Sequence, residues 1–179
     1  KKGEPEKFDY EEEKAKVMKF WEGELSKIKK FPGGEAFKPM IKNFVLQNLQ
    51  MFAHHVGKYD YVLPRQGCTQ RKIWVCEAYR FLKALDRIGD FYSYTERAYD
   101  LFYGKLFEEE GEDYGRINPL NKSIPWGGIT GSAMCGVSYH ILTRGDKRIF
   151  DKFKDKIYAS FEWVERQRAK SKKIENCIE

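Results

Sequence analysis

Apolar residues recur at helical spacing along nearly the whole chain, and glycine interrupts them at a constant interval. Gly33, Gly89 and Gly145 stand 56 residues apart. A period of three to four residues puts side chains on one face of a helix. A fixed interval of this length between turns is the mark of helical hairpins stacked in an array or ring. The pattern predicts six helices, near residues 10–30, 36–56, 70–88, 93–107, 132–143 and 149–170. Their inward stripes are Val17, Trp21, Leu25 and Ile28; then Phe37, Ile41, Phe44, Val45, Leu49 and Phe52 in a second helix expected to be largely buried, with Pro39 in its first turn. The third carries Trp74, Phe81, Leu85 and Ile88, and the fourth Tyr94, Ala98, Leu101 and Phe102. The fifth holds no charge and is rich in small residues, among them Ala133, Cys135, Gly136 and Ser138, so it must pack closely on its neighbours. The sixth shows Phe150, Phe153, Ile157, Phe161 and Val164.

Antiparallel alternation divides the connections between two ends. Those after helices one, three and five are short, as in Ile88-Gly89-Asp90-Phe91 and Thr143-Arg144-Gly145-Asp146. Those after helices two and four, residues 57–69 and 112–130, are long, aromatic and polar. One end is therefore expected to be structural and the other to carry recognition.

The 179 residues suit one domain: residues 10–171, with 1–9 a linker or disordered start and 172–179 the beginning of a further loop or a frayed end. A hydrophobic share of 41% with 16% aromatic residues is globular rather than disordered. The net charge of +6 points weakly to nucleic acid, but the basic residues are interleaved with 27 acids and form no dense run, so no nucleic acid is expected as partner. No apolar run approaches the length of a membrane span, and no signal peptide is visible. Cys68, Cys76, Cys135 and Cys177 show neither zinc spacing nor the density of a disulfide scaffold, and no metal or other cofactor is expected.

The recognition end carries side chains that suit a sugar. Tyr59, Tyr61, Tyr114 and Trp126 offer flat apolar faces, while Arg116, Asn118 and Asn121 offer hydrogen bonds. Asp60, Glu112 and Asp113 are the only acids at that end with a claim to proton transfer. Adjacent acids usually point apart, so Glu112 and Asp113 make a poor pair by themselves, and a surface or capping role outweighs catalysis for each. Glu77 reads as a buried partner of Arg71 or Arg80. His54-His55 do not share a helix face, which favours capping over metal binding. His140, alone in an apolar helix, reads as a satisfied core histidine, and Trp21, Trp74 and Trp163 as core.

The segment Tyr139-His140-Ile141-Leu142-Thr143-Arg144-Gly145-Asp146, the later Phe161-Glu162-Trp163-Val164 with Arg166 and Arg168, and the Leu63-Pro64-Arg65 run resemble six-hairpin glycosidases. These are the (α/α)6-toroid glycoside hydrolases, a group with glucoamylase-like, trehalase-like and rhamnosidase-like members. The resemblance covers the chain from about Tyr10 onward. It implies an all-α fold of about three helical hairpins, an incomplete (α/α)6 barrel, in an enzyme that cleaves glycosidic bonds by an inverting two-carboxylate mechanism. The parent protein would then be secreted or periplasmic. Arg65 matches an arginine that such enzymes place before the third helix to hold a sugar hydroxyl, with Gln66 where an aspartate commonly follows. Gly115-Arg116-Ile117 resembles the loop before the fifth helix, and Trp126 an aromatic wall of the sugar site. The catalytic carboxylates of the group lie in later loops of the ring. This segment is thus expected to supply sugar-binding loops, and to associate with itself or with the remaining half of a toroid. Two rivals stay open: a helical-repeat module that binds protein, and another toroid sugar enzyme such as an epimerase or lyase.

Overall fold

The computed structural model describes residues 9–56, 59–64, 74–118 and 127–171. Among them the class is all-α, with six helices and one small hairpin of extended chain. The helices are α1 (Tyr10–Ser26), α2 (Lys38–Met51), α3 (Val75–Ile88), α4 (Tyr92–Gly104), α5 (Gly127–Arg144) and α6 (Arg148–Ser171). Asp9 caps α1 by accepting the amides of Glu11 and Glu12, and three glutamates in its first turn meet the helix dipole favourably. Pro39 sits in the first turn of α2, where no intrahelical N–H is needed.

The second helix is shorter than the sequence predicts. It ends at Met51, and Phe52–Val56 (β1) pairs antiparallel with Tyr59–Pro64 (β2), Phe52 opposite Pro64 and His54 opposite Val62. The chain turns extended at Phe52, whose ψ is 120°, because the aromatic and β-branched residues of 59–62 offer a ladder partner and Phe52 gains a buried place beside the Tyr94 ring, 6.2 Å away. The 57–69 connection is therefore partly strand rather than loop. The fifth helix begins earlier than predicted, so Gly127–Thr130 form its first turn instead of closing a loop. The first stops earlier, at Ser26, and Gly33 belongs to the turn beyond it.

Two layers of parallel helices carry the core. In one, α3 and α5 run side by side, with Gly136 against Tyr79 and the Lys83 ammonium 4.5 Å from the Tyr139 ring centre. In the other, α4 and α6 run together along a ladder of Glu96 with Arg148, Asp100 with Lys152, and the Tyr103 carbonyl with Lys156. Val75, Ala78, Leu82 and Leu85 of α3, Ala98, Leu101 and Phe102 of α4, and Ala133 and Val137 of α5 fill the space between. This burial is the main favourable term in folding.

The short turns do gather at one end. The amides of Lys29 and Lys30 both donate to the Ile88 carbonyl, at 2.8 and 2.9 Å, and Asp90 N donates to Lys27 O at 2.9 Å. A Cβ at Gly89 would collide with the Lys27 carbonyl, so only glycine lets the two turns meet. Beside this junction Glu24 is buried, bonded to Lys27 Nζ at 2.7 Å, and Lys27 lies over the Tyr94 ring. Burial, and then a hydrogen bond with Glu24, holds the Tyr94 phenol well above its usual pKa.

Exposure along the first hairpin departs from expectation. Val17 on α1, Phe37 in the turn just before α2, and Phe44 on α2 are exposed rather than inward, while Ile41, Val45 and Leu49 are buried. Phe161 on α6 is likewise exposed, and Glu77 lies open on α3 instead of buried.

Candidate functional site

The end opposite the short turns is built on the segment from Leu106 to Asn118. It folds back on itself: Glu108 N donates to Arg116 O at 2.9 Å, Gly115 N to Glu108 O at 3.1 Å, and Asn118 N to Leu106 O at 2.7 Å, with Phe107 bridged to Ile117. Gly115 has φ +95°, and its α-carbon lies so close to α6 that a Cβ would strike the Ala159 carbonyl. Both the left-handed backbone and the close approach require glycine. Ile117 N donates to Thr130 Oγ1 at 3.0 Å, which ties the segment to the start of α5.

The predicted acids of this segment are engaged by basic and polar side chains. Asp113 Oδ2 accepts from Arg116 Nη1 at 2.8 Å, and its Oδ1 from Trp163 Nε1 at 3.3 Å. Glu112 pairs with Lys170, Glu109 with Lys156 at 2.5 Å, and Glu108 accepts from the Asn118 amide. Arg166 donates to the Tyr114 carbonyl at 2.5 Å. The acids thus lace the loop onto α6. Arg116 is buried, whereas Asn118 is partly exposed and Tyr114 stands out with its ring edge against Phe107, 5.8 Å between centres. The structure brings Glu112, Asp113, Arg116 and Asn118 into this one loop. Tyr59, Asp60 and Tyr61 lie in β2, but their side chains, like Arg65, Gln66, Asn121 and Trp126 as a whole, fall outside the described residues.

A second polar constellation is buried between α3, α4 and α5. His140 Nδ1 lies 2.9 Å from Asp86 Oδ2, and Thr95 Oγ1 donates to Asp86 Oδ1 at 3.0 Å. Asp86 is 3% exposed and His140 1%. The Tyr99 ring lies 5.4 Å from the imidazole, centre to centre. Tyr99 and Tyr103 are both fully buried, and neither hydroxyl has a hydrogen-bond partner among the described residues. Desolvation, and then the Asp86 charge, pushes the Tyr99 phenol well above its usual pKa; desolvation does the same to Tyr103. His140 is the satisfied core histidine its apolar helix suggests. Asp86, which sequence reasoning passed over, sits on the inward stripe with Leu82 and Leu85, and an acid at such a position was the available signal. Sealed from solvent, this pair can orient helices but cannot meet a substrate.

Among the described residues no group of three His, Cys, Asp or Glu could hold a metal ion, and no helix is long and apolar enough to cross a membrane. Comparison with protein-family models, curated proteins and solved structures finds no match to the chain. What the fold and this end define is a class: an all-α protein of packed helical hairpins, with short turns at one end and an anchored polar loop at the other.

Proposed function

We propose that this chain is part of a carbohydrate-active enzyme on an α/α toroid, a glycoside hydrolase whose sugar-binding loops this segment supplies. The observation that carries the reading is the anchoring of the Leu106–Asn118 loop at one end of two parallel helix layers. Such a loop presents Tyr114 from a rigid base, the arrangement a sugar site needs. An inverting mechanism takes two carboxylates roughly 6.5–9.5 Å apart, one as acid and one as base. Glu112 and Asp113 hold the loop to α6 and to Arg116, so binding rather than bond cleavage is the part this segment plays. The acid and base belong to other loops of the proposed enzyme, or include Asp60.

The test is a screen of mono- and disaccharides at about 10 mM by thermal shift, followed by calorimetry. A subset of sugars should raise the melting temperature, and Trp126→Ala and Tyr114→Ala should each diminish that rise. If no sugar shifts the protein, the carbohydrate reading is lost and the protein-binding module takes its place.

A further inference from the structure

The charge of this chain is not spread evenly over its fold. Residues 65–88 and 119–144, which are α3 and α5 with the stretches that lead into them, hold eight bases against two acids, a surplus equal to the whole +6 of the chain. The other 25 bases are matched by 25 acids. Of the two acids in the surplus region, Asp86 is buried and bonded to His140 and Thr95, so Glu77 alone reaches solvent. The bases of α3 fall at Arg80, Lys83 and Arg87, a spacing of three and four that puts them on one face over about 10 Å of helix. That face lies opposite the buried stripe of Ala78, Leu82 and Leu85, and Arg80 and Arg87 are exposed on it. None of the three has an ion pair among the described residues, whereas Arg148, Lys152, Lys156, Arg168 and Lys170 on α6 each hold a carboxylate. Lys83 is held instead by two rings, its ammonium 4.5 Å from the centre of Tyr139 on α5 and 5.9 Å from that of Tyr79. The face starts at the loop end: α3 runs parallel to α5, and Ile117 N ties the Leu106–Asn118 loop to Thr130 in the first turn of α5.

We infer that the α3 face carrying Arg80, Lys83 and Arg87 binds the carboxylates of an acidic oligosaccharide, a uronate chain running from the anchored loop along α3. The inference rests on the sugar reading above and narrows it from sugars in general to anionic ones. A row of bases without carboxylate partners complements a chain with a carboxylate on each unit, and an arginine fork matches the two oxygens of each carboxylate. Uncompensated positive charge on one face also raises the local concentration of an anion. Beside it α5 carries no charge from Gly127 to Thr143, so nothing on that helix repels the chain. A nucleic acid fits less well. Single-stranded bases bind by stacking on open aromatic faces, and here Lys83 lies over the rings of both Tyr79 and Tyr139.

The test is calorimetric titration of the full chain with short oligomers of galacturonate, of mannuronate and of a glucuronate-containing glycan, with the methyl esters of the same oligomers as uncharged controls. At about 20 mM salt at least one acid form should bind about tenfold tighter than its ester, and about 200 mM salt should remove most of that advantage. Arg80→Ala and Arg87→Ala, at exposed helical positions that alanine suits, should each weaken the acid form about fivefold and leave the ester unchanged. Lys154→Ala, an exposed base on α6, should change neither. Circular dichroism checks that each variant stays folded. Esters or neutral sugars that bind as tightly as the acids, or arginine variants that bind the acids like wild type, overturn the inference and leave the sugar reading standing. If acids, esters and neutral disaccharides all fail to bind, both fall. An oligouridylate of equal length that binds more tightly than every uronate at the same salt overturns the inference and assigns the face to nucleic acid.

Discussion

Tyr103 and Asp86 show how differently a buried polar group behaves with and without a partner. The Tyr103 hydroxyl is sealed in the core with no hydrogen bond among the described residues, while its ring stacks on Phe153 with centres 5.6 Å apart. Removing an unsatisfied hydroxyl costs nothing in lost bonding, so Tyr103→Phe is expected to leave stability unchanged or raise it by about 1 kcal/mol. Urea denaturation measures this, and a loss larger than about 1 kcal/mol would mean the hydroxyl is bonded after all. Asp86 is the opposite case, accepting from both Thr95 and His140. Asp86→Ala strands the buried His140, leaves the Thr95 hydroxyl only the Tyr92 carbonyl at 3.3 Å, and opens a small void, and a loss of about 3 kcal/mol is expected in the same assay. A loss below about 1 kcal/mol would show that the pair does not hold α3, α4 and α5 together.

At the level of elements, α6 is held by two kinds of contact with very different weight. Its ladder to α4 is solvent-exposed: Lys152 and Asp100 keep 55% and 26% of their side-chain surface, and such pairs contribute little individually. The loop from Leu106 to Asn118 is fixed instead by close packing at Gly115 and by the buried Arg116. Gly115→Ala is strained at φ +95° and strikes the Ala159 backbone, so the loop must lift from α6. A cost of about 1–3 kcal/mol is expected. Hydrogen exchange localises the damage: the Gly115 and Arg116 amides, bonded to Glu108 O and Asp113 O, should lose protection while α3 keeps its own. Unchanged protection in the loop would contradict this anchoring.

Across the whole molecule the buried tyrosines set how stability depends on pH. Tyr99 and Tyr103 stay protonated in the fold well above the usual phenol range, through desolvation. In the unfolded chain they titrate near pH 10. Below that pH both states hold the protons and the stabilisation is complete. Above it the unfolded state releases them first, so stability falls by about 1.4 kcal/mol per pH unit for each of the two. Denaturation midpoints at pH 8, 10 and 11 should drop steeply after the second point, and the double variant with Phe at both positions should lessen the slope, leaving the share of Tyr94, whose pKa burial also raises. An equal slope in that variant would assign the alkaline loss to other groups.

Periodicity alone determined that this chain is helical, where most helices lie and which residues make the α4 stripe, because spacing of three to four is a local property written in consecutive residues. It also placed the short turns together, since alternating antiparallel helices allow no other arrangement. Tertiary structure decided the rest. Whether Phe37, Phe44 and Val17 are covered depends on which neighbour lies beside them, and no local pattern carries that. The hairpin at Phe52–Pro64 took residues from a helix because a partner strand and the Tyr94 ring were at hand. The acids at Glu112 and Asp113 became ties to α6 because Lys170, Trp163 and Arg116 come to them through the fold. Asp86 and His140, 54 residues apart, meet only because α3 and α5 pack in parallel, and contact at such a distance in sequence is a fact of packing rather than of spacing.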